Sequence, residues 1–229
     1  MRIEDTRTEP LKGDACPPSP IPHPTLRTPH SQLPPLFVLS GPSGAGKTTV
    51  VDEVLRQCRY PLRRAVTATT RDPRPGETAG EDYHFWSRPR FEEGIAGGEL
   101  IEYALVHGRD YYGTPRTEVD GPRIGGFGVL LVIDVQGAAQ VRRLYPNDHT
   151  SVFLDVPDMA ELERRLRARG TESEERVARR LATASQEIDR AGEFDARVVN
   201  DTVPNAVAGL LAVIHHQFTQ RGFSTCSTN

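Results

Sequence analysis

Short apolar runs alternate with longer amphipathic stretches along most of the chain. Three runs, 36–40, 129–133 and 152–154, are almost entirely apolar, which is typical of strands buried on both faces of a parallel sheet. Helices are predicted between and around them, at 48–57, 90–97, 115–124, 138–145 and 204–218. This alternation predicts an α/β fold in three layers, with a parallel core sheet covered by helices on both faces.

Two segments depart from this rhythm. The stretch 67–128 is richer in turns, glycine and aromatic residues, and we interpret it as an insertion that forms a substrate-binding lobe. Residues 1–34 are rich in proline and poor in apolar side chains, which predicts a disordered or polyproline-like extension. A ligand for a proline-recognition module and a wrongly assigned start codon are alternative interpretations of this extension. Weaker strand signals lie at 64–70, 100–106 and 197–200.

The first apolar run leads directly into a phosphate-binding pattern, G-x-x-x-x-G-K-[ST], followed by a predicted helix. Backbone N–H groups of such a loop converge on an anion at the helix N-terminus. Lys47 can then reach the β- and γ-phosphates of a nucleotide, and Thr48 can offer its hydroxyl to Mg²⁺. A chance glycine-rich turn is the alternative. The predicted ATP-binding residues here are Gly41, Pro42, Ser43, Gly44, Ala45, Gly46, Lys47, Thr48 and Thr49.

Two other clusters and one single acid carry chemistry that suits phosphate, a base or Mg²⁺. Thr67, Arg71 and Arg74 share one irregular segment, where guanidinium groups could bind a second phosphate. In a second cluster, a carboxylate and tyrosines could bind a guanine edge and stack on the base. Asp134 ends the second apolar run, as acids near Mg²⁺ or reacting groups do. Each feature also has a purely structural interpretation. The first cluster could be a solvated basic loop, the aromatics of the second could belong to the core, and Asp134 could be an ordinary strand end. The second cluster comprises Tyr83, Glu102, Tyr111, Tyr112, Gly113 and Thr114.

Arginines flank Gly170 on two predicted helices, whose starts carry capping-box pairs at Asp158 with Glu161 and at Thr171 with Glu174. Two pairs of these arginines lie at i, i+4 and so share a helix face. They could clamp a chain of phosphates from a mobile lid, or they could belong to a solvated charged hairpin paired with nearby glutamates. The two pairs are Arg165 with Arg169, and Arg176 with Arg180.

Composition limits the class of protein. The 229 residues are enough for one domain with subdomains or for two small domains, and the net charge of −3 gives no overall attraction to nucleic acid. The three scattered cysteines show neither metal spacing nor a disulfide framework. No apolar run is long enough to span a membrane, and no signal peptide is recognisable. A cytoplasmic protein without nucleic-acid or membrane partners is therefore predicted.

Seven motifs, taken in order along 35–221, resemble the guanylate kinase family of nucleoside monophosphate kinases. They lie at 41–48, 69–77, 82–85, 111–113, 133–137, 165–171 and 199–201. The resemblance implies phosphorylation of GMP by ATP, with Mg²⁺ as cofactor, in a monomer or a homodimer. It also implies a core (35–66, 129–156 and 192–221), a GMP-binding lobe (67–128), a helical lid (157–191) and a short tail (222–229).

The resemblance also implies roles for individual residues. Around the GMP phosphate it places Thr67, Arg71, Arg74, Tyr83 and Tyr112. It implies that Glu102, Thr114 and Asp134 recognise the guanine base. It implies that the catalytic residues are Lys47, Arg165, Arg169 and Arg180. It also implies that Asn200 contacts ATP and that Thr48 binds Mg²⁺ through phosphates and water.

Two departures from the family pattern bear on these roles. One additional residue falls within 106–110; in a hairpin tip it would be harmless, whereas a shift of strand register would turn Glu102 to the other face. Val132 stands where many relatives have an acid near Mg²⁺. Two rival functions remain open: a scaffold domain that binds phosphopeptides, which usually has a degraded phosphate loop, and a kinase of sugar phosphates, which should lack the guanine-reading residues.

Overall fold

The computed structural model describes residues 33–106, 108–168 and 173–225. Within these ranges the chain forms nine strands and seven α-helices. The strands are β1 (Leu36–Ser40), β2 (Leu62–Arg64), β3 (Ala68–Thr69), β4 (His84–Phe85), β5 (Leu100–Val106), β6 (Asp110–Pro115), β7 (Gly128–Val132), β8 (Thr150–Asp155) and β9 (Ala196–Val199). The helices are α1 (Lys47–Gln57), α2 (Arg88–Ala96), α3 (Asp120–Ile124), α4 (Val135–Leu144), α5 (Met159–Ala168), α6 (Glu174–Asp189) and α7 (Val203–Gln220).

Five parallel strands form the core sheet, in the order β2-β7-β1-β8-β9. The central strand β1 is wholly buried, and its successive side chains point to opposite faces of the sheet. Phe37 and Leu39 pack in a cluster with residues of α1 and α7, whereas Leu36 and Val38 pack with residues of α4. Helices therefore cover both faces, and the predicted three-layer α/β fold is confirmed.

A second sheet of four strands, in the order β4-β3-β6-β5, is inserted between β2 and β7. It is mixed, because β3 runs parallel to β4 but antiparallel to β6, and β5 and β6 form a hairpin. Helix α2 begins where Ser87 accepts a hydrogen bond from the N–H of Arg90, and its Phe91 packs on Ala68 and Leu100. The predicted insertion in the core sheet is confirmed, and it is a mixed α+β lobe that combines this sheet with α2.

Helices α5 and α6 pack against each other above the phosphate loop. Leu162 and Leu166 of α5 share a buried cluster with Ala184 of α6 and with Ala45 of the loop. Asp158 caps α5 as the sequence predicted, since its Oδ1 accepts a hydrogen bond from the N–H of Glu161 at 2.7 Å. Residue 171, predicted to cap the next helix, lies outside the described residues.

Two local predictions were wrong. The stretch 64–70 is not one strand: the backbone leaves the core sheet after the N–H of Ala65 bonds Leu130 O at 3.0 Å, and it enters the second sheet at Ala68. The predicted helix at 115–124 is a single 3₁₀ turn, Arg116–Glu118, followed by the short α3. Residues 1–32 and 226–229, with nearly all of the predicted extension and half of the predicted tail, lie outside the described residues.

Candidate active site

The phosphate loop joins the end of β1 to the start of α1 in a conformation that requires glycine. Gly41 and Gly46 have φ angles of 148° and 87°. A Cβ added at Gly41 would lie 2.1 Å from the carbonyl oxygen of Leu154, and one at Gly46 would lie 2.6 Å from Nδ2 of Asn200. The loop therefore lies directly against the end of β8 and against the residue that follows β9.

Lys47, the first residue of α1, folds back across this loop. Its Nζ donates to Gly41 O at 2.6 Å and to Pro42 O at 3.1 Å. The hydroxyl-bearing residues after it, Thr48 and Thr49, are exposed. An ammonium group and an exposed hydroxyl at the mouth of a glycine-rich loop suit the phosphates of a nucleotide and a hydrated Mg²⁺.

Asn200, which follows β9, is hydrogen-bonded to the backbone of the phosphate loop. Its side chain is only 3% exposed, and its Nδ2 donates to Ala45 O at 2.7 Å. Its Oδ1 is buried and has no hydrogen-bond partner within the described ranges. Arg165 of α5 donates to the backbone oxygen of Asn200 at 2.8 Å and to Glu161 at 2.6 Å. Asn200, predicted to contact ATP, and Arg165, predicted to be catalytic, thus lie beside the loop, and both roles stay predictions.

Helix α6 also reaches the loop. Arg180 donates from Nη2 to Ser43 Oγ at 2.6 Å. Two turns further along the same helix, burial raises the pKa of Glu187, while the nearby charge of Lys47 lowers it and that of Asp134 raises it. Sequence analysis missed Glu187, because nothing in its local pattern sets it apart from the other glutamates of this helix. Arg169, predicted to be catalytic, lies outside the described residues.

The predicted guanine-reading residues converge between the two sheets. Glu102 of β5 is 5% exposed and accepts a hydrogen bond from the hydroxyl of Thr114 at 2.6 Å. Asp134 caps α4, accepting from the N–H groups of Gln136 and Gly137 at 2.9 and 2.7 Å. Burial, with a further contribution from Asp134, raises the pKa of Glu102 to about 7.

From Glu102 to Val106 the register is continuous, since Glu102 pairs with Thr114 and Val106 pairs with Asp110. A register shift lies on the other side of Glu102, between Leu100 and Glu102. The additional residue noted in the sequence within 106–110 therefore causes no shift between Glu102 and Val106. Gly137 completes the pocket from α4: a Cβ there would lie 2.6 Å from Glu102 Oε2. Sequence analysis assigned no role to Gly137, since only the packing of α4 on β5 reveals it.

Among the residues predicted around the GMP phosphate, aromatic rings surround the guanidinium group of Arg71. The guanidinium carbon of Arg71 lies 5.0 Å from the ring centre of Tyr83, and Arg71 Nε donates to Tyr112 Oη at 3.1 Å. Neighbouring Tyr111 points the other way and stacks on Phe91 at 5.1 Å in the lobe core. Tyr111 thus fits the core alternative, while Tyr112 faces Arg71.

The remaining predicted members of this site lie at its edges, and a further acid joins them. Arg74 is exposed and Thr67 is half-buried. Glu77 forms a bidentate pair with Arg71, with Nη1–Oε2 and Nη2–Oε1 distances of 2.7 and 2.6 Å. The bonds from Arg71 and from the backbone of Arg74 hold the pKa of Glu77 at about 2. Sequence analysis included Glu77 in a motif but gave it no role.

The lobe is tied to the core by Glu118, which sequence analysis also missed. Its carboxylate accepts from the N–H of Val66 at 3.1 Å and from Arg63 at 3.2 Å, and it lies 2.9 Å from Nε2 of His84. Arg63 belongs to the core strand β2 and His84 to β4 of the lobe. One carboxylate therefore joins the two sheets where the chain passes between them.

No group of three or more His, Cys, Asp or Glu side chains within the described ranges is placed to hold a metal ion. The half-buried Val132 packs against the core beside β1, so it adds no oxygen ligand at this edge. A metal at the loop would depend on the Thr48 hydroxyl, the nucleotide phosphates and water, as hydrated Mg²⁺ commonly does. Within the same ranges, no helix combines the length and the apolar character that crossing a bilayer requires.

A parallel sheet with a phosphate loop after its first strand, and with a second lobe inserted beyond it, defines the class of phosphate-loop nucleotide-binding proteins. The guanylate kinase family model matches residues 34–217. The guanylate kinase of Lactobacillus johnsonii is 46% identical over 179 residues, covering 78% of this chain and 87% of the relative. That of Thermosynechococcus vestitus is 48% identical over 179 residues, covering 78% and 92%.

A solved structure agrees with these sequence matches. The crystal structure of guanylate kinase from Anaplasma phagocytophilum matches with a TM-score of 0.67 and 31% identity, covering 83% of this chain and 90% of that one. The chain belongs to the guanylate kinase family. The resemblance inferred from the seven sequence motifs is confirmed.

Proposed function

We propose that the protein transfers the γ-phosphoryl group of ATP to GMP, giving ADP and GDP. The observation that carries this proposal is the position of Asp134. It follows β7, the strand that pairs with β1 and so lies beside the phosphate loop, and its charge acts on both Glu102 and Glu187. This position supports a base-binding site next to a phosphate-binding site at one edge of the core sheet.

Recognition of guanine would rest on the buried carboxylate of Glu102. Guanine presents N1–H and N2–H₂ side by side, and a carboxylate can accept both hydrogen bonds. Two such donors favour the ionised form, so bound GMP would lower the pKa of Glu102. Adenine lacks this pair of donors. The hydroxyl of Thr114 holds the carboxylate by a hydrogen bond, and the lack of a side chain at Gly137 leaves room for it. We infer that GMP, and also dGMP, are acceptors, for purine nucleotide metabolism and GMP recycling.

Catalysis would consist of positioning and charge neutralisation. The GMP phosphate is already anionic near neutral pH, so its attack on the γ-phosphorus needs no general base. Lys47, Arg165, Arg169 and Arg180 would stabilise the charge that spreads over the transferring group. Thr48 would help to hold Mg²⁺, together with the phosphates and water, and the metal would supply neutralisation of the phosphate charge. Segment 157–191, as a lid, would exclude the water that otherwise hydrolyses ATP.

A coupled assay of ADP formation tests this function. With ATP and Mg²⁺, we expect turnover with GMP and dGMP and background rates with AMP, UMP and ribose phosphates. Lys47→Ala should lower turnover by orders of magnitude, with circular dichroism and melting temperature little changed, because the ammonium group contributes to the transition state more than to the fold. Binding of both nucleotides without any GDP would contradict the proposal, and turnover with a ribose phosphate would favour the sugar-phosphate kinase.

A further inference from the structure

Glu77 lies in the predicted GMP-phosphate site without an assigned role, and a tight turn places it there. Glu77 N donates to Arg74 O at 3.0 Å, and Gly76 has a φ of 89°. Pro75 followed by a glycine in the left-handed region is the signature of a type II turn. The turn reverses the chain, so that the Glu77 carboxylate returns to Arg71, six residues earlier.

The hydrogen bonds of Arg71 use four of its five N–H groups. Nη1 donates to Glu77 Oε2 at 2.7 Å and to Asp72 O at 2.9 Å. Nη2 donates to Glu77 Oε1 at 2.6 Å, and Nε donates to Tyr112 Oη at 3.1 Å. Since a guanidinium has five N–H donors, one on Nη2 has no partner among the residues that the structure describes.

The available N–H lies on a different edge of the guanidinium from the one that Glu77 occupies. Glu77 takes the end edge, formed by Nη1 and Nη2. The free Nη2–H runs parallel to the Nε–H on the side edge, which faces the hydroxyl of Tyr112. A phosphate placed beside the Tyr112 hydroxyl can accept a charge-assisted bond from this Nη2–H. Glu77 and a phosphate can therefore bind Arg71 together, one on each edge.

The surroundings restrict Arg71 to this orientation. Its guanidinium carbon lies 5.0 and 5.8 Å from the ring centres of Tyr83 and Phe85, and its side chain is 11% exposed. Glu77 Oε2 also accepts from the N–H of Arg74 at 2.8 Å, so one carboxylate fixes both the side chain of Arg71 and the backbone that carries Arg74.

From these contacts we propose that Glu77 is a positioning residue of the acceptor site, which holds Arg71 so that its side edge faces the phosphate of GMP. This inference rests on the proposed function, in which Arg71 binds that phosphate. Without the carboxylate, the guanidinium loses two charge-assisted bonds and the turn at 74–77 loses its link to Arg71. Phosphate binding should then weaken, while base recognition at Glu102 is preserved.

Glu77→Gln tests the inference, because glutamine keeps the length of the side chain but can accept only one of the two bonds from Arg71. We expect the KM for GMP to rise at least tenfold, with the KM for ATP within twofold of wild type. Calorimetry should show a similar loss of GMP affinity but guanosine binding within twofold of wild type, because guanosine has no phosphate. Glu77→Asp, which keeps the charge on a shorter side chain, should fall between the two.

Two further variants complete the design. Glu81→Gln removes an exposed carboxylate from the same loop and should change neither KM. In an Arg71→Ala background, Glu77→Gln should have little additional effect, because its action passes through Arg71. An unchanged or lower KM for GMP would mean that Glu77 competes with the phosphate, and an equal loss of guanosine would mean that the lobe is disrupted. Either result overturns the inference. Should wild type make no GDP, the calorimetric comparison still tests Glu77.

Discussion

Replacing Glu102 with glutamine should stabilise the protein at neutral pH and weaken its binding of GMP. Glu102 is 5% exposed, its nearest polar partner is the hydroxyl of Thr114, and the charge of Asp134 is close by. An ionised carboxylate in such a place opposes folding, since burial removes its water and the neighbouring charge has the same sign. Glutamine has the same shape without the charge.

The magnitude follows from the pKa. Burial raises the pKa of Glu102 from its ordinary 4.5 to about 7, so the folded protein holds this proton more tightly than the unfolded chain. The free energy of unfolding that Glu102 contributes is then greatest below pH 4.5 and is lost as the pH rises to 7. Between pH 5 and pH 8 the loss is about 2–3 kcal/mol, equivalent to roughly 4–12 °C in melting temperature for a chain of this size.

Urea unfolding of wild type and Glu102→Gln, at intervals from pH 5 to pH 8, measures this loss. The difference in unfolding free energy between the two proteins should grow by about 2–3 kcal/mol in favour of the variant, while groups that titrate alike in both cancel. Glu81→Gln, an exposed change of the same kind, should give a difference that is flat with pH. A flat difference for Glu102→Gln would refute the reasoning, since Glu102 would then titrate alike in both states.

Two other substitutions test how the site is supported. Gly137→Ala should raise the KM for GMP far more than the KM for ATP, because the new methyl group would lie 2.6 Å from Glu102 Oε2 and displace that carboxylate. Steady-state kinetics with each substrate varied would measure both KM values. Equal effects on the two would be evidence against this contact. Asn200→Ala should cost about 1–3 kcal/mol of stability, because Ala45 O loses its buried donor. It should also raise the KM for ATP and leave the KM for GMP unchanged. Thermal melts and the same kinetics measure these effects, and an unchanged KM for ATP would show that the loop does not need Asn200.

Local sequence patterns predicted the frame of this protein well. The buried strands β1, β7 and β8 lie within two residues of their predicted bounds, because a strand covered on both faces must be apolar along its whole length. The phosphate loop was identifiable from the spacing of its residues alone, since glycines such as Gly41 and Gly46 allow the positive φ angles that the local backbone adopts. The cap at Asp158 is equally local, as donor and acceptor are three residues apart.

Short strands and their partners were harder to predict. β3 and β4 have two residues each, too few for any periodicity, and they form only because β6 offers its edge to β3. Where 64–70 divides between the two sheets, it is held by Glu118, which lies some fifty residues further along the chain and contacts Arg63, Val66 and His84. No pattern within 64–70 contains that information.

The amino-acid sequence by itself determined the α/β layers, the phosphate loop and the family, because each depends on residues a few positions apart. Tertiary structure alone decided which side chains act together. The carboxylate of Glu102 is buried against Gly137 of another element, and Asn200 holds a loop 155 residues away. Burial and charge at these points depend on how distant segments pack, which is why the raised pKa of Glu102 and the requirement for Gly137 emerge only in the folded chain.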